Sequence, residues 1–92
     1  MLFIRRLIWD AGNVAHIARH DVSQEEVEEV CEGEFIHRET YKGRLLIIGP
    51  TQTGRILAIV LAPEGEDVYY VVTARPADRR ERRDYGRDKG VR

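Results

Sequence analysis

The chain opens on an apolar run, Leu2-Phe3-Ile4, which Arg5 and Arg6 interrupt before Leu7 and Ile8 resume it. Residues 2–8 read as a first strand, with Trp9 packing where that strand enters a helix. Asp10 is placed to cap the helix, and the 3.6-residue period carries it to about His20. Val14, Ile17 and Ala18 fall on one side of it, and Asn13, His16 and His20 on a neighbouring side. Ser23-Gln24-Glu25-Glu26 is a capping-box pattern that opens a second helix. There Val27, Val30 and Cys31 form a narrow buried stripe, Glu25, Glu28, Glu29 and Glu32 face water, and Gly33 ends the helix.

The period then changes. Arg44–Gly49, Arg55–Ala62 and Val68–Arg75 are β-rich runs, separated by turn segments at residues 50–54 and 63–67 that each begin with proline. Connections this short imply consecutive antiparallel pairing, a meander. Its middle strand is apolar on both faces, with Leu57, Ile59 and Leu61 alternating against Ile56, Ala58 and Val60, so helices are expected on one face and partial exposure on the other. Residues 34–41 fit either an edge strand or a loop. Pro76 suits the first turn of a last helix, Ala77 to Tyr85, that stops at Gly86. Its apolar face is thin, so it must dock through arginine stems and ion pairs. The tail, residues 86–92, is expected to fray. The order β-α-α-β-β-β-α predicts one α+β domain over residues 1–92. Its sheet is small and antiparallel, the first strand plus the meander, packed with two N-terminal helices and a C-terminal one.

Composition narrows the class. At 42% apolar residues the 92-residue chain folds rather than staying disordered, and its single cysteine, Cys31, permits no intrachain disulfide. Cys31 on the apolar stripe reads as a core residue. The opening run resembles no leader, because charges interrupt it and no small-residue cleavage site follows. With no stretch of roughly 20 apolar residues, the expectation is a soluble cytoplasmic protein without a membrane partner. Net charge is −1, yet it is unevenly spread. Residues 21–39 hold eight acidic side chains against one basic, and residues 75–92 hold eight basic against four acidic. One end suits phosphate, and the other suits a basic partner.

Arg75 is the foremost candidate for chemistry. By alternation it shares a strand face with Tyr69, Val71 and Thr73, and it emerges just before the last helix. A guanidinium there can clamp a phosphodiester bidentately; equally, an Arg75–Glu81 ion pair can simply dock the helix, and the two readings are compatible. Glu81 and Tyr85 share a helical face, suiting a base or arginine-orienting group and a stacking or hydrogen-bonding ring. His16 and His20 have zinc-compatible spacing, but no third ligand accompanies them. They suit acid–base work near neutral pH or a structural role. Arg44 and Arg55, which open facing strands, can widen a basic surface. No metal or cofactor is called for.

Three segments together resemble the BrnT family of bacterial toxins. Trp9-Asp10 with Asn13-x-x-His16-Ile17-x-x-His20-x-Val22-x-x-Glu25-Glu26-Val27 resembles its opening helix pair. Arg44-x-x-x-Ile48-Gly49 with Gly54-Arg55-Ile56-Leu57 resembles its central hairpin. Thr73-Ala74-Arg75-x-Ala77-x-x-Arg80-Glu81-Arg82-Arg83-x-Tyr85 resembles its closing strand and helix. Many members carry lysine where Asn13 stands and glycine where Asp21 stands. The resemblance implies a RelE-like fold and a metal-independent endoribonuclease that blocks translation. It also implies a cognate antitoxin that neutralises the toxin and links it to operator DNA. Under it Arg75, Glu81, Tyr85, His20 and Arg55 are candidate catalytic residues, and Arg44, Arg79, Arg82 and His16 candidate substrate contacts. Arg75 and Arg55 take the phosphate, and Glu81 or His20 accepts the proton. Partners would be the antitoxin and RNA, with a homodimer left open. The competing reading is a non-catalytic module of the same fold that binds a protein or nucleic acid.

Overall fold

The computed structural model describes residues 2–88. Along the chain run β1 (Arg6–Ile8), α1 (Ala11–Ala18), α2 (Gln24–Glu32) and β2 (Ile36–Glu39). A short 3-10 turn at Tyr41–Gly43 leads into β3 (Leu45–Pro50), β4 (Ile56–Gly65), β5 (Val68–Pro76) and α3 (Arg79–Asp88). The strands form one sheet in the order β1-β5-β4-β3-β2. The α+β class and the meander are as expected. The sheet, however, is five-stranded and mixed, because β1 lies parallel to β5 through Arg6↔Val68, Leu7↔Tyr69 and Ile8↔Tyr70. Parallel pairing follows from the route: from β1 the chain crosses the sheet through α1 and α2, and the meander then returns strand by strand. Residues 36–39 are the outer strand β2, antiparallel to β3, so the open choice for residues 34–41 resolves as an edge strand.

β1 is shorter than residues 2–8 because the β4–β5 turn ends the sheet there. The amides of Arg5 and Arg6 donate to the Asp67 carbonyl, and Leu2–Ile4 run off the end of the ladder. β4 reaches Gly65, which leaves a tighter turn than the five residues expected. α1 ends at Ala18, before His20, and Asp21 follows with φ 62°, the left-handed region where glycine is easiest. Ser23 and Gly33 cap α2 at both ends as its pattern predicts.

Helices cover both faces, not one. Beneath α1 and α2, Ile17, Val27 and Val30 meet Ile47, Leu57, Ile59, Leu61, Val71 and Ala74 in the main core. On the other face Leu46, Ile48 and Ala58 pack with Ala77 and Tyr85 at α3. Cys31 belongs to the main core, where burial pushes its thiol up to about 12. Gly49 brings β3 against the α2–β2 corner, since a Cβ there would sit 3.0 Å from that of Phe35. Among the described residues no helix is long and apolar enough to cross a membrane.

The buried side of α1 also differs from its pattern. Ile17 is buried, but Val14 is exposed and Asn13, at 3% exposure, takes the place expected of an apolar residue. Its carboxamide explains why. Nδ2 donates to the Ile8 carbonyl at 3.0 Å and the Val71 carbonyl at 3.1 Å, while Oδ1 accepts from the Asp10 amide at 2.9 Å. With Asp10 Oδ1 accepting from the Asn13 amide, this closes a capping box and ties α1 to both parallel strands. Asn13→Ala leaves two buried carbonyls unpaired and should cost about 1–3 kcal/mol. The melting temperature should fall by about 4–8 °C per kcal/mol; an unchanged melt would remove this cross-link from the account of the fold.

Candidate active site

The site is organised by an extra residue in β5. Val60 pairs with Thr73 but Leu61 pairs with Val71, so Val72 is inserted and side-chain parity reverses between them. Tyr69 and Val71 consequently share the main core with Ala74, whereas Arg75, opposite Ala58, lies on the α3 face. Simple alternation had put Arg75 on the face of Tyr69 and Val71. The bulge corrects this and frees the guanidinium from the core.

Pro76 does not open a helix. It ends β5 opposite Leu57, and Asp78 caps α3 instead. The Glu81 amide donates to Asp78 Oδ1 at 2.8 Å, and the Asp78 amide donates to Glu81 Oε1 at 2.9 Å. This Asp-x-x-Glu capping box was readable in residues 78–81 but was masked by the proline beside it. Arg75 meets the same carboxylate end-on, Nη1 to Oε1 at 2.7 Å and Nη2 to Oε2 at 2.8 Å. Glu81 is 7% exposed, whereas the Arg75 side chain is 41% exposed. The bonds from Arg75 hold the Glu81 carboxyl below its usual value, and those same bonds raise Arg75 further above its own.

An arginine has five N–H donors. Glu81 takes the Nη1–Nη2 edge, and a longer Nη1 bond reaches the Pro76 carbonyl at 3.4 Å. The Nε–H and the second Nη2–H form a side-on fork that meets no acceptor among the described residues. A phosphate fits that fork.

The other candidates divide. Thr73 lies two residues before Arg75 and on its face, opposite Val60, and its hydroxyl is 3.0 Å from His16 Nε2. His20 packs edge-on to His16 with ring centroids 5.4 Å apart. β1 stops pairing at Tyr70, so both histidines sit beside the part of β5 that leads to Arg75. Alternation already placed Thr73 on the face of Arg75; its contact with His16 could not be read from the sequence, because it depends on where β1 stops pairing.

Tyr85, on the second core patch, donates to the Glu34 carbonyl at 3.2 Å and so ties α3 to the α2–β2 loop. Arg82 donates to the Ala77 carbonyl at 2.7 Å, and Arg79 is exposed on the first turn of α3. Arg38, missed in the sequence, approaches Asp84 at 3.6 Å. Arg55 is committed elsewhere, its Nη1 donating to both oxygens of Glu26 at 3.0 Å on the α2 side of the sheet. The Ser23 amide and then Arg55 lower Glu26, so this group pins α2 to the β3–β4 turn. Arg44 and Arg55 do not widen one surface. They open antiparallel strands and stand at opposite ends, roughly 23 Å apart at about 3.3 Å per residue.

The model of the family described as "Ribonuclease toxin, BrnT, of type II toxin-antitoxin system" matches residues 9–81. The chain belongs to the BrnT family. The match contains Arg75 and Glu81 and ends before Tyr85. The fold is similar to the 1.1 Å crystal structure of the Brucella abortus ribonuclease toxin BrnT, with a TM-score of 0.65 and 25% sequence identity. That superposition covers 80% of this chain and 97% of the Brucella toxin. No curated protein matches. The family is one of ribonuclease toxins of type II toxin–antitoxin systems.

Glu81 offers a direct test. Its lowered carboxyl means that folding stability is present above the ordinary carboxylate value, 4.5, and is lost as pH falls below it. Glu81→Gln should melt earlier than the native chain at pH 7, by about 1–2 kcal/mol from the weakened cap and lost charge. The difference should shrink steadily on acidification from pH 4.5. A difference independent of pH would rule out the ion pair as its source.

Proposed function

We propose that this BrnT toxin is a metal-independent endoribonuclease of RelE-like descent that arrests translation by cutting RNA and is neutralised by a cognate antitoxin. One observation carries the mechanism: the guanidinium of Arg75 is fixed by Glu81 along one edge and open along the other. A phosphodiester seated on the open fork receives two charge-assisted hydrogen bonds and stays near the histidine pair.

In this reading the ribose 2′-oxygen attacks the adjacent phosphorus, forming the 2′-O–P bond as the P–O5′ bond breaks. A base takes the 2′-hydroxyl proton and an acid protonates O5′, giving a 2′,3′-cyclic phosphate and a 5′-hydroxyl. Arg75 neutralises charge as it builds on the non-bridging oxygens. Glu81 is a poor base, because both its oxygens are occupied and its carboxyl is lowered. It serves as a positioning residue for Arg75. Proton transfer falls to His16 and His20, whose imidazoles need no metal for acid–base work. Arg55 orders the α1–α2 turn that carries His20. Arg79 and Arg82 contribute positive charge along the RNA backbone. Tyr85 holds α3 in place.

Arg75→Lys keeps a cation for Glu81 and loses the second fork. Because lysine cannot reproduce the bidentate pair, the melt should fall, but by no more than for Glu81→Gln, while RNA cleavage falls about 10²–10³-fold and growth arrest on expression disappears. Cleavage by the native protein should persist in excess EDTA. Undiminished toxicity of Arg75→Lys and Arg75→Ala would remove this residue from the mechanism, and intact RNA with the native protein would favour the binding-module reading.

A further inference from the structure

The acidic segment from Asp21 to Glu39 touches no reacting group in that scheme, and it borders a broad hollow. Leu2, Phe3 and Ile4 run off the sheet beside the α2–β2 corner, and with Cys31, Phe35 and His37 they line a concavity of about 590 Å³. Its lining is mostly apolar, and Phe3 is 61% exposed within it. Glu32 and Glu34 stand on the rim. A second hollow of about 410 Å³ shares Leu2 and His37 and continues past Glu39 to Leu45 and Tyr69. The two join at Leu2 and His37 into a trough that begins beside β2, the outermost strand, and crosses the sheet toward β5; the far edge of β2 pairs with nothing among the described residues.

We propose that this trough is the docking site for a basic, amphipathic segment of the cognate antitoxin; the inference rests on the neutralisation reading above. Charge complementarity names the occupant. Three of the eight acidic side chains between residues 21 and 39, Glu32, Glu34 and Glu39, line the two hollows, and neither lining includes a lysine or arginine. RNA is repelled from such a surface, whereas lysines and arginines flanking an apolar anchor are attracted to it. An aromatic exposed in a hollow supplies the anchor contact. An open edge strand lets an extended segment add main-chain hydrogen bonds.

The trough also connects to the candidate active site. Glu34, on its rim, accepts the Tyr85 hydroxyl through its carbonyl, and Tyr85 lies one turn along α3 from Glu81. A segment anchored at Phe3 that continues past Glu34 would reach the helix that holds Arg75.

The test uses the toxin and its cognate antitoxin. Binding is titrated across a salt series, and free toxin variants are assayed for RNA cleavage. Phe3→Asp should weaken binding at least tenfold. The double variant Glu32→Lys with Glu34→Lys should weaken it similarly and flatten its salt dependence. Both should cut RNA at the native rate and arrest growth despite the antitoxin. Affinities within twofold of native for both variants would overturn the proposal, as would no binding by the native toxin. Loss of binding only when Arg80 and Arg83 are changed to glutamate would relocate the interface to α3. If sedimentation shows a toxin dimer that Phe3→Asp abolishes while antitoxin affinity is unchanged, the occupant is a second copy. Failure of the ribonuclease reading appears separately, as RNA left intact by a native toxin whose binding still follows this pattern.

Discussion

Glu81 receives three hydrogen bonds on one nearly buried carboxylate, two from Arg75 and one from the Asp78 amide. This single group begins α3, fastens it to β5 and orients the guanidinium on which the chemistry depends. α3 offers little else for attachment. Around it lie only a small apolar patch at Ala77 and Tyr85, the Tyr85–Glu34 hydrogen bond and the Arg38–Asp84 approach. A surface ion pair is ordinarily worth little, but here the acceptor is shielded, the geometry is bidentate and a helix cap depends on the same oxygens. Helix docking and site assembly are therefore one event.

That arrangement exists because of Val72. Without the inserted residue, the parity of β5 would carry Arg75 to the face of Tyr69 and Val71, beneath the N-terminal helices. A guanidinium there would have to be desolvated among Ile17, Ile59 and Leu61, with no carboxylate to meet it. The bulge lets one strand give aliphatic side chains to the main core and a cation to the opposite face within a few residues. Thr73, two residues before Arg75, keeps to the same face and is where His16 arrives from α1. Bulges recur where a side chain must be re-aimed beside a site.

The N-caps of the first two helices, the meander, Cys31 in the core and the Arg75–Glu81 pair were legible in the residues, since each rests on local chemistry or short spacing; the bounds of the last helix were not, for it begins after Asp78 and runs through Gly86 to Asp88. What escaped was set by non-local pairing. The parallel β1–β5 contact involves residues some sixty apart, and no periodicity encodes it. Val72 looks like any other strand valine, so the parity change is invisible before the register is known. Asn13 read as one of three polar residues on a helix side, because its two carbonyl partners lie on strands at different distances along the chain. Arg55 was indistinguishable from a phosphate ligand until Glu26 was found to hold it.

The division of charge acquires a physical meaning on this fold. The acidic stretch wraps the α2–β2 corner and the basic stretch forms α3, so the two fields are displayed on different parts of a small surface. Within about a Debye length, roughly 8 Å at physiological salt, each attracts a different class of ligand. On the proposed reading, RNA would be drawn toward the helix that fixes Arg75, and a cationic protein segment toward the trough beside Phe3. They meet at Glu34 and Tyr85, where a hydrogen bond joins the acidic corner to the last helix. Because α3 is held by few contacts, a partner pulling on that corner acts on the placement of the guanidinium as well as on access to it. Neutralisation by displacement of α3 and neutralisation by occlusion of Arg75 are then separable. Displacement would break the Arg75–Glu81 bonds, whereas occlusion would leave them intact beneath the bound segment.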